Sequence, residues 1–424
     1  MSINSKYRSA LNCLASAIFA RRTNVFCYNI PSLLIFRKER QIMIYFDNSA
    51  TTKPLDSVLA TYQTVAKEFF GNPSSLHKLG DRARAVVEQS RAQIAQIMRA
   101  KPEEIFFTSG GTEGDNWIIK GTAMAKRVFG KHIITTTIEH PAVRETMKQL
   151  EELGFEVTYL PVDKRGFINV DDLKAALRKD TILVSVMAVN NEVGSIQPIA
   201  KIGDILEDYP TVHFHVDAVQ AVGKGVMDQI RHPRVDFLTF SGHKFHALRG
   251  TGFIYAKAGR VIAPLMAGGG QEKDLRSGTE NTTGIAAMAK ALRLCLDNEA
   301  EKVQRQNAIR KTIADYVSTF DDVHLFSELT PDFAPHVLTM AIKGVRGETI
   351  VHAFENEGIY MSTTSACSSR SGQESSTLAA MNVPQSLAQS AIRVSLDEAN
   401  TLAEAEQFKQ AFKKVYTNFQ KLKA

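Results

Sequence analysis

The chain has only four cysteines in 424 residues, Cys13, Cys27, Cys295 and Cys367, and no two of them are close together. That spacing excludes a disulfide framework and the short Cys/His intervals of a zinc site, so no metal centre is expected. Long apolar runs are missing too: no stretch approaches the roughly 18 unbroken apolar residues of a membrane span. Residues 43–424 contain no internal repeat and no low-complexity tract. What remains, 44% apolar and 23% charged residues, is the composition of a soluble globular protein.

The basic pI of about 9.0 suggests nucleic acid until the charges are located. Residues 1–42 hold seven bases against the single acid Glu39, and the rest of the chain holds 44 bases and 44 acids. A neutral body gives no electrostatic footprint for nucleic acid. The leader is rich in arginine and poor in acid, as transit peptides are, but it lacks an apolar core followed by a small-residue cleavage site. Met43 opens the first well-patterned segment, MIYFDNSATT. Residues 1–42 are therefore read as an upstream extension outside the fold, and the protein as cytoplasmic.

From Asp81 the segment DRARAVVEQSRAQIAQIM carries apolar positions at helical spacing, with Asp81 as N-cap and Pro102 as the break. Strand-like and helix-like segments then alternate: EIFFT, KHIITTTI, PAVRETMKQLEELG, FEVTYLPV, DDLKAALRK, TILVSVMAV, VHFHVDAV, VDFLTFSG, GTGFIYAK. Such alternation predicts an α/β fold with a mostly parallel sheet covered by helices on both faces. A long helical stretch from about Thr283 to Phe320 ends it. The expected layout is a large domain over 58–299 and a smaller α+β domain formed by 43–57 and 300–424.

Ligands of such sheets gather beyond the carboxyl ends of the strands. After EIFFT comes SGGTEGDN, whose Gly111 and Thr112 open a helix, as in an anion cradle, although an ordinary turn reads the same. His140 ends the next strand and Asn191 follows TILVSVMAVN. Asp217 and Gln220 follow VHFHV, where an acid serves either as an N-cap or as partner to a protonated ring nitrogen. Ser241, His243 and Lys244 follow VDFLTF, and a lysine among small polar residues there suits Schiff-base chemistry. An anion cradle, a carboxylate and a lysine at neighbouring strand ends form the set that pyridoxal 5'-phosphate requires. Cys367 stands apart in STTSACSSRSG, a run of small polar residues in which a packed thiol is out of place.

YFDNSATT, GNPSSLH, FTSGGTEGDN, IEHPAV, VNNEVG, HVDAVQAVGK, SGHK, RSGTEN, SACSS and IRVSL, in that order, resemble a cysteine desulfurase of the IscS/NifS type. That group lies within the class V aminotransferase-like, fold type I pyridoxal phosphate enzymes. The resemblance implies that Lys244 carries the cofactor and, once released, removes the substrate Cα proton, and that Asp217 pairs with the ring nitrogen. It implies too that His140 stacks on the ring and assists proton transfers as a catalytic residue, that Gln220 reaches the ring hydroxyl and that Asn191 also contacts the cofactor. Gly111, Thr112, Ser241 and His243 would surround the phosphate, joined by Thr279 from the other subunit of a homodimer. Asn191 and Arg393 would hold the substrate carboxylate. Cys367 would take sulfur from L-cysteine as a persulfide, leaving L-alanine, and pass it to acceptor proteins of iron–sulfur cluster, thio-tRNA or thiamin synthesis.

Three positions depart from the family pattern. Thr364 replaces a glycine before Ser-Ala-Cys, Ala247 and Leu248 replace a Gly-Pro pair after the lysine, and Asp115 stands where serine is common. Asp115 is expected to point into solvent from the first helical turn. The alternatives are another class V activity, such as an aminotransferase, a selenocysteine lyase or a carbon–carbon lyase, and a non-catalytic scaffold of the same fold. Neither needs a thiol in the loop.

Overall fold

In a computed structural model that describes residues 43–364 and 375–423, the apolar and β-branched runs form strands. The basic leader and Cys367 lie outside the described residues. In chain order the strands are β1 (Ile44–Tyr45), β2 (Ile105–Thr108), β3 (His132–Thr136), β4 (Glu156–Leu160), β5 (Thr181–Met187), β6 (His213–Asp217), β7 (Phe237–Ser241) and β8 (Gly252–Ala256). β2 to β8 form one seven-stranded sheet in the order β2-β8-β7-β6-β5-β3-β4. β8 runs antiparallel to both of its neighbours, and the other pairings are parallel. The α/β architecture expected from the alternation is present.

Successive residues of the central strands belong to different cores, which is how a sheet buried on both faces reads as an unbroken apolar run. Ile134, Val184, Leu238 and Phe253 pack into one cluster. Their sequence neighbours Ile133 and Leu183 face a second cluster, and Phe237 and Ile254 a third, the last together with Trp117. The helix Gly111–Lys126 supplies Trp117, Ile119 and Ala123 to that opposite face.

The later strands are β9 (Val323–Leu325), β10 (Val337–Ile342), β11 (Ile359–Tyr360), β12 (Ser362–Thr363) and β13 (Ala391–Ser395). They give an antiparallel sheet in the order β12-β13-β10-β9, while β11 pairs in parallel with β1. A separate apolar cluster gathers Ile44 and Phe46 with residues from 309 to 419. Its centre is aromatic: Phe354 and Phe408 stack with centroids 5.1 Å apart, and Phe412 packs beside both.

Two helix boundaries differ from the sequence reading. The helix expected from Asp81, preceded by a separate helix, Asp56–Glu68, begins at Lys78, because His77 caps it by accepting the Gly80 N–H on Nδ1 at 3.2 Å. It closes at Met98 on a left-handed Arg99 before Pro102 is reached. The long stretch is two helices, Thr282–Leu296 and Glu299–Val317, separated by a left-handed Asn298. Cys295 is core, as expected, and burial pushes its thiol up to about 12.

Candidate active site

The carboxyl ends of β2, β3, β5, β6 and β7 open on one cavity of about 780 Å³. Gly111, Thr112, His140, Asn191, Asp217, Gln220, Ser241, His243, Lys244 and Arg393 all line it. Thr279 is exposed on the segment beyond Arg276 and does not line the cavity of its own chain, and Cys367 lies outside the described residues. Thr364 and Ser375, the residues bounding the segment that contains Cys367, both line the wall.

Beneath the turn at residues 109–116 the chain is packed too closely for side chains. A Cβ on Gly111 would stand 2.7 Å from Val219 Cγ2, and one on Gly252 would stand 2.7 Å from the Gly110 Cα. The first helical hydrogen bond there is from Gly114 N to Gly110 O, so the N–H groups of Gly111, Thr112 and Glu113 precede the ladder and are available to an anion. The Glu113 carboxylate turns away from that position. It accepts from the Ser109 N–H at 2.9 Å and takes a two-point grip from Arg276, at 2.7 and 3.0 Å.

Lys244 leaves β7 through a short turn and donates to the carbonyls of Ser49 and Ala50, at 2.6 and 2.9 Å. Both acceptors belong to the YFDNSATT segment. Ala247 N closes the turn on Gly242 O at 3.0 Å, and the left-handed His246 bridges Lys53 O and the Glu398 carboxylate. Ala247 and Leu248 thus stand in a closed turn.

Asp217 ends β6 on the floor of the cavity. Burial pushes its carboxyl up to about 6, against the stabilising Val219 N–H at 2.9 Å and the Lys244 charge. His140 caps the helix Pro141–Glu152 by accepting the Ala142 N–H on Nδ1 at 3.1 Å. Its ring proton is therefore on Nε2. Burial, with Lys244 and Arg144 nearby, holds its pKa at about 4, so the imidazole is neutral near pH 7. Gln220 donates to Ser49 O at 3.0 Å and accepts from His336 at 3.3 Å, which fixes its amide. Burial and Lys244 likewise hold His243 at about 4, and its Nδ1 lies 3.2 Å from Thr51 Oγ1.

Arg393 comes from β13, not from the large sheet. It donates to Asn191 O at 2.8 Å, Asp47 Oδ1 at 3.1 Å and Ser362 Oγ at 2.9 Å. Its buried Nε has no hydrogen-bond partner among the described residues.

Asp115 corrects the sequence reading. It is 1% exposed and lines the cavity, because the helix Gly111–Lys126 lies directly on the sheet. At Gly114 a Cβ would meet Thr239 Cγ2 at 2.7 Å and Ile254 Cγ2 at 2.9 Å, so the next residue is carried inward. The sequence reading also missed three groups. Glu192 lines the cavity and accepts the Ser375 hydroxyl, and burial raises its carboxyl. Asp47 orients Arg393. Glu139 is buried one residue before His140 and is pushed up to about 8 by burial. Each lies inside a quoted motif, YFDNSATT, IEHPAV or VNNEVG, yet none follows a strand in the way that draws attention.

Comparison with known proteins places this arrangement. The sequence matches the Aminotransferase class-V family over residues 44–408. It is 58% identical over 380 residues to a protein of Lactobacillus delbrueckii subsp. bulgaricus named NifS/IcsS protein homolog, covering 90% of this chain and 99% of the relative. It is 44% identical to the cysteine desulfurase IscS of Dictyoglomus turgidum, covering 83% of this chain and 89% of the relative. A solved structure titled NIFS-LIKE PROTEIN superposes with a TM-score of 0.83 at 37% identity, over 89% of this chain and all of that one. On these matches the chain belongs to the class-V aminotransferase family, in its cysteine desulfurase branch of the IscS/NifS type.

Proposed function

We propose that the protein is a pyridoxal 5'-phosphate-dependent cysteine desulfurase, converting L-cysteine to L-alanine and carrying the sulfur as a persulfide on Cys367. One observation carries this reading: a single cavity collects Lys244, Asp217, His140 and Arg393 together with Thr364 and Ser375. Cys367 is the third residue after Thr364, and three chain steps span at most about 11 Å. The thiol is therefore within chain reach of the cavity.

The donor set fits the cofactor. Gly111, where a Cβ has no room, and the N–H groups of Thr112 and Glu113 suit a phosphate, with Ser241 and His243 beside them. Asp217 suits a protonated ring nitrogen and Gln220 a ring hydroxyl. When bound, the cofactor supplies an electron sink that makes the substrate Cα proton labile. Lys244 holds the cofactor and then moves the Cα proton on its Nζ. Neutral His140, on the cavity lining, would cover the cofactor and keep bulk water from it.

Arg393 binds the substrate carboxylate with the Nη1–H left over from Asn191 O, while Asp47 and Ser362 hold its Nη2. Asn191 flanks the same carboxylate. Cys367 needs activation, since an unperturbed thiol is only a few per cent thiolate near pH 7. Arg144, Lys244 and Arg393 surround the cavity with positive charge that favours the thiolate. Its attack on the substrate sulfur forms the S–S bond as the C–S bond breaks, and the electron pair of that bond stays with the carbon fragment that becomes alanine.

The exposed Thr279, tied to the phosphate turn through the Arg276–Glu113 pair, suits completion of the partner's phosphate site in a homodimer. The apolar cluster of Ile44 and Phe46 with residues from 309 to 419 supports a small domain from 43–57 and 300–424, and the main cluster of the large domain over 58–299 extends onto it through Phe326, Ala341, Leu378 and Ala391. Sulfur-acceptor proteins of iron–sulfur, thio-tRNA or thiamin synthesis are the partners on this reading. A reducing cytoplasm suits the persulfide carrier; among the described residues no helix is long and apolar enough to cross a membrane.

The test is Cys367→Ala with L-cysteine and no added thiol. The variant is expected to keep the absorbance band of bound cofactor and to lose alanine and sulfide production by at least about 100-fold. Desulfuration at the wild-type rate would overturn the mechanism. Keto-acid-dependent amino transfer retained in the variant would favour an aminotransferase.

A further inference from the structure

The proposed chemistry makes no use of Asp115, yet its carboxyl is among the most buried in the protein. Its Oδ1 lies 3.5 Å from His215 Nε2 and has no hydrogen-bond partner among the described residues. No lysine or arginine pairs with it among those residues. His215 is itself fully buried, with Nδ1 2.9 Å from Ser185 Oγ and Nε2 3.0 Å from Thr239 Oγ1. Those hydroxyls come from β5 and β7, the strands on either side of β6, and Thr239 lies directly opposite Asp217 in the register. Asp115, His215 and Thr239 therefore form a polar layer in contact with the strand that ends in Asp217.

The charges facing this layer are few. Asp217 and Glu139 are the acids that act on Asp115, His215 is held neutral by burial, and Lys244 acts on Asp217. Glu139 is occupied elsewhere: its Oε1 accepts from Thr136 Oγ1 at 2.7 Å and from the Met187 N–H at 3.0 Å. Asp217 has a backbone N–H and a nearby cation to favour its ionised form, and Asp115 has only the Thr239 hydroxyl. Two carboxyls sharing one low-dielectric site do not both ionise readily, and the less supported one keeps the proton.

Resting on the function proposed above, we propose that Asp115 is a positioning residue acting through Asp217, a reserve acid whose ionisation keeps a proton on the cofactor's ring nitrogen to higher pH than Asp217 alone would. As pH rises, the proton on Asp115 leaves before the one on the ring nitrogen. The negative charge it leaves beneath Asp217 then opposes loss of the ring proton. Burial raises the Asp115 carboxyl well above the ordinary range, which agrees with such a role.

Pyridoxamine 5'-phosphate is a suitable probe, because its amine cannot condense with Lys244 while its ring nitrogen still faces Asp217. Calorimetry in buffers of different ionisation enthalpy gives the protons taken up on binding at each pH. In Asp115→Asn the alkaline midpoint of proton uptake is expected to fall by at least about half a pH unit. Superimposable curves for wild type and variant would overturn the role of Asp115 while leaving the proposed function intact. Failure of the wild-type protein to bind the probe would instead remove the functional reading on which it rests.

Asp115→Ser, shorter and still able to meet Thr239, serves if the asparagine variant does not fold. If neither folds, infrared spectroscopy of wild-type protein carrying ¹³C-carboxyl aspartate decides. With the probe bound, a protonated aspartate band that disappears between neutral and alkaline pH is expected, and its absence overturns the proposal.

Discussion

The floor and the wall of the cavity are built in different ways. On the floor, Asp217 and His140 sit where a strand ends, and each is held by backbone two residues away: the Val219 N–H for Asp217, the Ala142 N–H for His140. On the wall, Arg393 is held by Asp47 and Asn191, 346 and 202 positions away in the chain. Lys244 belongs to both, rooted at the end of β7 and anchored on the carbonyls of Ser49 and Ala50, 195 and 194 positions away. Local chemistry places a group on the floor; on the wall, a group has its geometry only when distant segments have already packed.

The largest effect is expected where floor and wall meet. Lys244→Ala should lower turnover of L-cysteine by about 10⁴-fold, the upper range for losing a positioned acid–base group, while leaving the fold intact by circular dichroism. Turnover within tenfold of wild type would mean that the proton is moved by another group. On the wall, Arg393→Lys should cost about 100-fold in kcat/KM, because an ammonium cannot reproduce the planar grip of a guanidinium. Asp47→Asn leaves Arg393 in place but loosens it, and about a tenfold loss in kcat/KM is expected, the size of one charge-assisted hydrogen bond. Equal losses in the two variants would erase the distinction between the group and its distant support.

One further change concerns stability alone and leaves turnover aside. Glu139 has a raised folded pKa, about 8, so the folded state holds a proton that the unfolded state has lost. Its contribution is therefore fully favourable below the ordinary carboxylate range and declines as pH rises towards 8. In cofactor-depleted protein, Glu139→Gln should flatten the fall in unfolding free energy between pH 5 and pH 8, by on the order of 4 kcal/mol. An unchanged slope in urea titrations across that range would show that Glu139 is solvated on the floor.

The same distinction explains what the sequence made legible. The order of strands and helices, the parallel sheet and the residues after the strands were readable, because each depends on periodicity or on a turn a few residues long. His140, Asp217 and Lys244 belong to that class. Asp115 was misread because its burial depends on how closely a helix lies on the sheet. That distance is set by Gly114 against Thr239 and Ile254, partners 125 and 140 residues further on. Asp47 and Glu192 were missed for a related reason: each earns its place through residues brought in by β12, β13 or Ser375. Helix starts failed at a finer scale, since a histidine cap at position 77 has no strong compositional signature.

The packing around Cys295 bears on how the protein can be studied at the bench. Gly223 lies so close that a Cβ there would stand 2.6 Å from the Cys295 sulfur, and the thiol is 2% exposed. No alkylating reagent has room to approach it while the fold is intact. The fast phase of thiol labelling in native protein therefore counts other cysteines, and Cys295 reacts only on unfolding. Its modification rate under denaturant gives a clock for global opening, read in the same sample and by the same mass spectrum as the loading state of Cys367.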